Sequence, residues 1–257
     1  MARFDKLEIQ NSSGGNDEEV RIARDDGDWL AQADQQRRVG HYESALRLYS
    51  RALEDDKALV VGWLGQIQML VQLEEYPEAE LWARKALELF PNNGDLLAGR
   101  AQAIIRLGDQ KQAILLCDGS LKQSGQSAYR WMVRGEVQLA IQQTADEHCF
   151  AKAMQADRDW LVPLESALIN LHYGAASKGL RLALKAAEAS PDSHYTWLIV
   201  GRCQTELGFR ANAIKSFKRC LELNPGHIDA ERALTRVTQR GWSLSGFVRG
   251  LFSKDDQ

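Results

Sequence analysis

The feature that most constrains this chain is a spacing of 34 residues. Pro191 and Pro225 stand 34 residues apart, and each closes a run with the same skeleton: Gly179, Ala183 and Ala186 before the first, Ala213, Phe217 and Cys220 before the second. Ala79, Ala83 and Ala86 repeat it before Pro91. Trp29 and Trp63 are again 34 residues apart, and Trp63 and Trp131 are separated by 68, or two periods. Trp131 to Trp197 is 66, so two residues have been lost in that stretch. Such self-similarity marks an array of supersecondary units, each too small to bury its apolar face alone and stable only when stacked on its neighbours.

Each period carries two stretches with apolar residues at i, i+3, i+4 and i+7, the pattern of amphipathic helices. In the last period these are Trp197, Leu198, Gly201, Gln204 and Leu207, then Ala213, Ile214, Phe217, Leu221 and Leu223. Gly40, Gly108 and Gly208 fall at the break between the two helices, where a tight turn is needed. Ala33, Ala101, Gly135, Ala167 and Gly201 on the first helix (helix A) let the second (helix B) approach closely. Pro91-Asn-Asn-Gly-Asp95, Pro191-Asp-Ser193 and Asn224-Pro-Gly226 each stop one unit and set up the cap of the next.

This pattern resembles the tetratricopeptide repeat, a 34-residue helix–turn–helix unit with a large residue near the start of helix A and a closing proline. Six units are framed, at 26–59, 60–93, 94–127, 128–159, 160–193 and 194–227. The resemblance implies an all-α, right-handed α-solenoid, with residues 228–240 as a C-terminal capping helix. Units 3 to 5 are the least regular. Gly119 and the polar run 123–127 replace the closing proline of unit 3, unit 4 carries the deletions and sets Asp146 where a small residue belongs, and Pro163 opens unit 5. Looser stacking is expected there, by repeat drift or by a hinge near 117–127.

Residues 1–25 read as a polar, disordered leader: the first 28 residues hold eight acids and four bases. Residues 241–257 read as a short amphipathic tail, with Trp242 at its start and Leu244, Phe247, Val248, Leu251 and Phe252 on one stripe. Such a tail docks on a partner, lies peripherally in a membrane interface or folds back on the solenoid.

Composition excludes several classes. With 32 basic and 35 acidic side chains the chain lacks the overall positive field of a nucleic-acid binder. No apolar run approaches the roughly 18 residues that span a bilayer, and the first residues carry no apolar signal core, so a cytoplasmic location is expected. Cys117, Cys149, Cys203 and Cys220 then read as reduced thiols. None of His41, His148, His172, His194 and His227 forms a His-Glu-x-x-His motif, and no cysteine pair has zinc-finger spacing. No phosphate loop or nucleophile–base pair is present. The expectation is therefore a non-enzyme without cofactor or metal.

In this family helix A lines the concave face where peptides or helices bind. The inward positions include Arg37 and Arg38 in unit 1, Gln68 and Gln72 in unit 2, and Gln102 and Arg106 in unit 3. Units 4 to 6 offer Tyr129, Met132, Val133, Glu136, Leu161, Leu164, Leu168, His172, Tyr195, Ile199 and Arg202 as candidate partner-binding residues. The Lys and Asn set with which relatives grip chaperone C-termini is missing. The resemblance thus implies an adaptor or assembly scaffold for a protein partner in an apolar groove over units 4 to 6. The same leucines have a second reading, as residues buried by helix packing. The alternatives for function are a dedicated chaperone or assembly factor for one apolar client, or a regulatory subunit of an enzyme complex anchored by the tail.

Overall fold

The computed structural model describes residues 28–239, and both the leader and the tail stripe from Trp242 to Phe252 lie outside that range. The described residues form helices only, in pairs: α1 (Trp29–Arg38) with α2 (Tyr42–Asp55), α3 (Val60–Gln72) with α4 (Tyr76–Leu89), α5 (Gly94–Arg106) with α6 (Gln110–Lys122), α7 (Ala128–Ala140) with α8 (Asp146–Ala156), α9 (Leu161–His172) with α10 (Ala176–Ala189), and α11 (His194–Glu206) with α12 (Arg210–Leu223). A final helix, α13, occupies 228–239. Each helix packs chiefly on the one before and the one after it, as a solenoid requires.

The turn within each pair falls at the same place. The fifteenth residue of every unit adopts a left-handed conformation, with φ of 79° at Gly40, 93° at Gly108, 71° at Gly174 and 74° at Gly208. Glu74 and Gln142 hold that conformation without glycine, at φ 64° and 58°. The helices cross closely because glycine on helix A faces an aromatic on helix B. A Cβ on Gly135 would overlap the ring of Phe150, and one on Gly201 the ring of Phe217.

The recurrent tryptophans do more than fill space. Trp63 Nε1 donates to the carbonyl of Lys57 at 2.9 Å, and Trp197 Nε1 to that of Pro191 at 2.8 Å. Each indole thereby fastens the turn six residues upstream, which joins its unit to the preceding one. Trp82 packs against Trp63 with ring centroids 5.8 Å apart.

The irregular units are repaired locally. Where unit 3 lacks its proline, Arg130 of α7 takes over the turn: Nη1 donates to the carbonyls of Gln123, Ser124 and Gly125 at 3.3, 3.1 and 2.6 Å, while Nε donates to Asp95 at 3.0 Å. The guanidinium lies where a Cβ on residue 94 would be, so Gly94 is needed for the clamp to close. In unit 4 the deletion removes the first turn of helix B, leaving α8 with 11 residues against 13 or 14 in its counterparts. Asp146, fully buried at its start, is accommodated by Lys178 Nζ of the next unit at 2.8 Å. The sparsest junctions between successive units are α8 with α9 and, next, α6 with α7.

Replacing Arg130 by Ala frees three turn carbonyls and leaves Asp95 without its cation. Loss of those charge-assisted bonds is expected to cost about 2–3 kcal/mol of unfolding free energy, read by urea denaturation, with faster hydrogen exchange confined to residues 119–130 at sub-denaturing urea.

Candidate functional site

The inner face of a helical-repeat protein is built from one stripe of each A helix. Here those stripes meet one another. Units 2 to 5 converge on a buried ion pair, Arg106 of α5 with Glu136 of α7, whose side chains are 7 % and 0 % exposed. Gln102 Nε2 donates to the second carboxylate oxygen of Glu136 at 2.7 Å, and Tyr129 Oη donates to Gln102 Oε1 at 2.7 Å. Tyr173 Oη donates to Glu136 at 3.3 Å. The Arg106 guanidinium lies over two rings, 5.9 Å from the centroid of Tyr76 and 5.5 Å from that of Tyr173, an aromatic sandwich that stabilises a desolvated cation.

The first unit closes over this centre from the other side. Arg37 Nε donates to Glu165 Oε1 at 2.7 Å, and Arg38 grips Asp159 with both terminal nitrogens at 3.0 and 2.7 Å. Arg38 also stands over Trp160, 5.5 Å from the ring centroid. The hydroxyls of Tyr42 and Tyr195 share a hydrogen bond of 2.6 Å across 153 residues of sequence. Gly40 admits the Tyr195 ring, which a Cβ at that position would overlap. Repeat 1 is thus seated on repeats 5 and 6. The space left between Gln68, Gln72, Gln102, Tyr129, Met132, Glu165 and Ile169 amounts to about 10 Å³, room for one water at most.

This closure decides where the candidate residues lie. Tyr129, Met132, Val133 and Glu136 of α7, Leu161 and Leu164 of α9, and Tyr195 and Ile199 of α11 are buried. Leu168 is half-buried, and His172 and Arg202 are exposed. The inward register brings Tyr129, Met132 and Glu136 together with Gln68, Gln102 and Glu165, but these side chains pack on each other. An apolar groove open over units 4 to 6 is therefore not what the fold presents: of the two readings of the leucines, Leu161 and Leu164 belong to the core. The physical reason is the tight turn of the superhelix, which stacks the inner stripes face to face.

A second hollow lies between the B helices of units 4 and 5, and sequence reasoning missed it. A cleft of about 280 Å³ lies between α8 and α10, with Phe150, Met154 and Leu182 in its walls. Lys178, Arg181, Lys185 and Glu147 also line it. Asn170 Oδ1, buried at this cleft, has no hydrogen-bond partner. The only sequence signal was the two-residue deficit of unit 4.

The four thiols are buried, and burial pushes Cys117 and Cys220 up to about 11 and Cys203 to about 12. Near neutrality they are protonated, unlike reactive thiols. Among the described residues, no helix is long and apolar enough to cross a membrane.

Two outcomes test the inner face. Glu136→Ala buries Arg106 without its counter-charge and is expected to cost about 3–5 kcal/mol in urea denaturation, most of which an Arg106→Met, Glu136→Met pair recovers. The Arg38 bond holds the Asp159 carboxyl below its ordinary value of 3.8. Its stabilisation is therefore complete above that value and is lost as pH falls through the lowered one. Hydrogen exchange in α1 should accelerate over that range before exchange in α5, and Arg38→Ala should remove the pH dependence.

Residues 194–227 match the family model of the tetratricopeptide repeat. A TPR repeat-containing protein of Methanocaldococcus jannaschii is 21 % identical over 220 residues, 79 % of this chain, which spans 38 % of that protein's length. Among solved structures, a tetratricopeptide repeat protein from Parabacteroides merdae superposes with a TM-score of 0.52 at 17 % identity, covering 82 % of this chain and 83 % of the other. A thermophilic TPR protein of Thermus thermophilus gives 0.50 at 14 % identity, covering 82 % and 97 %. The last helix pair thus matches the tetratricopeptide repeat, and the pairs from α1 to α10 repeat its helix–turn–helix form.

Proposed function

We propose that this protein is a non-enzymatic adaptor or assembly scaffold that holds a short segment of a partner protein in the cleft between α8 and α10. The tetratricopeptide repeat fold supports protein–protein interaction in general. The observation that selects the cleft is its combination of size, apolar wall and charge. At about 280 Å³ it takes one large apolar side chain with its neighbours. Lys185, exposed at its edge, and Arg181, which pairs there with Glu147 at 3.0 Å, favour an acidic flank, and the unpaired Asn170 Oδ1 offers an acceptor to a donor on the incoming segment. The partner segment is thus an apolar anchor flanked by Asp or Glu.

A second reading keeps the partner on the inner face, at the candidate residues of units 4 to 6. What favours it is the polar character of the seal. Arg38–Asp159 is partly exposed at both ends, and such pairs are worth about 0–1 kcal/mol. A helix burying Leu168 beside His172 and Arg202 would have to displace only repeat 1. In either reading the partner supplies the chemistry and this chain supplies the surface.

Peptides selected on the full chain from a random display library, then measured by calorimetry, separate the readings. Arg181→Glu with Lys185→Glu is expected to weaken binding at least tenfold, while Leu168→Asp with Arg202→Glu leaves it unchanged. The reverse result moves the site to the inner face. Indifference to both pairs overturns both.

A further inference from the structure

His194, Cys220 and His227 come together at the C-terminal end of the solenoid. His194 is the first residue of α11, Cys220 lies in the last turn of α12, and His227 immediately precedes α13. One nitrogen of each imidazole and the sulfur all lie within 4.8 Å of one another. The two rings stand edge to face, centroids 5.1 Å apart at 72°. His194 Nδ1 and His227 Nε2 are buried atoms with no hydrogen-bond partner. An orphaned buried polar atom costs about 1–3 kcal/mol, so two beside one thiol require an explanation.

The repeat supplies a control, because the same three positions recur in other units. At the first position stand Val60, Gly94 and Ala128; at the position of Cys220 stand Ala52, Ala86, Ser120 and Ala186; at that of His227 stand Leu59, Asn93, Ser127 and Ser193. The fold therefore asks for a small residue under the helix crossing and accepts a capping side chain before the next helix. Asn93 does cap α5, accepting from the amides of Asp95 and Leu96 at 3.0 Å. Unit 6 places ligand-type side chains at all three positions at once.

We propose that His194, Cys220 and His227 bind one zinc-class divalent ion, which clips α13 to the last repeat. Two imidazoles and a thiolate suit borderline and soft ions and not Mg²⁺ or Ca²⁺. Bonds of about 2.0–2.3 Å set tetrahedral ligands about 3.5 Å apart, so the three atoms close by roughly 1 Å on binding. That is a matter of side-chain torsion. The thiol loses its proton to solvent as the metal–sulfur bond forms, one proton per ion. Three protein ligands leave the fourth position to water. The site is independent of both docking surfaces proposed above.

Titration of the chelator-treated full chain with Co²⁺ tests this directly. One equivalent is expected to saturate a thiolate-to-metal charge-transfer band in the near ultraviolet and the intense visible bands of a four-coordinate ion. Zn²⁺ should bleach both and slow hydrogen exchange in residues 220–239. Cys220→Ala restores the residue found at 52, 86 and 186, so it should keep the circular dichroism of the parent while losing the charge-transfer band. His227→Asn, the residue at 93, should weaken Co²⁺ binding at least tenfold. A parent without a charge-transfer band at one equivalent, a band that survives in Cys220→Ala, or affinity unchanged by His227→Asn would each overturn the assignment.

Discussion

The structure turns on one buried ion pair. Arg106 and Glu136 sit where the inner stripes of repeats 2 to 5 meet, and every group around them is oriented by them: Gln102 and Tyr173 donate to the carboxylate, Tyr129 donates to Gln102, and Tyr76 and Tyr173 face the guanidinium. Buried pairs add little net stability, because desolvation consumes most of the Coulombic gain. Their strength is geometric. A carboxylate that must be satisfied by α5, α7 and the end of α9 leaves little freedom in the angle between successive repeats. A solenoid's pitch is the sum of those small angles, and the carboxylate ties two of them, between repeats 3 and 4 and between 4 and 5.

That closure gives the protein two interiors. One is the usual apolar layer between helices A and B, where Ala33, Ala83, Ala183 and Phe217 pack. The other runs along the superhelix axis and is polar, with Gln68, Gln102, Glu136 and Glu165 nearly inaccessible. The two are sealed differently. Apolar burial holds the first along the described residues, whereas at the N-terminal edge of the second Arg37, Arg38 and Tyr42 bind Glu165, Asp159 and Tyr195.

Irregular repeats are where the chain acquires its individual features. Unit 3 lost a proline and gained Arg130, which fastens the same turn with charge-assisted bonds. Unit 4 lost two residues and has the shortest helix B, α8, along which the cleft beside Phe150 and Leu182 runs. Unit 6 holds its repeat pattern most closely, yet it places ligand-type residues at positions where its counterparts need only Ala or Asn. Departures from a repeat are informative because the other copies show what the fold alone requires.

The sequence by itself determined the units. Periodicity fixed the helix pairs, the turns between their helices and the small residues where they cross, since these are local and recur with the repeat. It also identified the inward register: Arg37, Arg106 and Glu136 do face the axis. It did not show what they face, nor that Trp63 and Trp197 donate to turn carbonyls. Only the tertiary structure decided that the inner stripes meet each other, that Leu161 and Leu164 are core, and that residues 26 and 7 apart at the C-terminal end form one cluster. The reason is physical. A repeat's internal contacts are encoded within one period, whereas contact between repeats 1 and 6 depends on rotations accumulated over five junctions, which no single period contains.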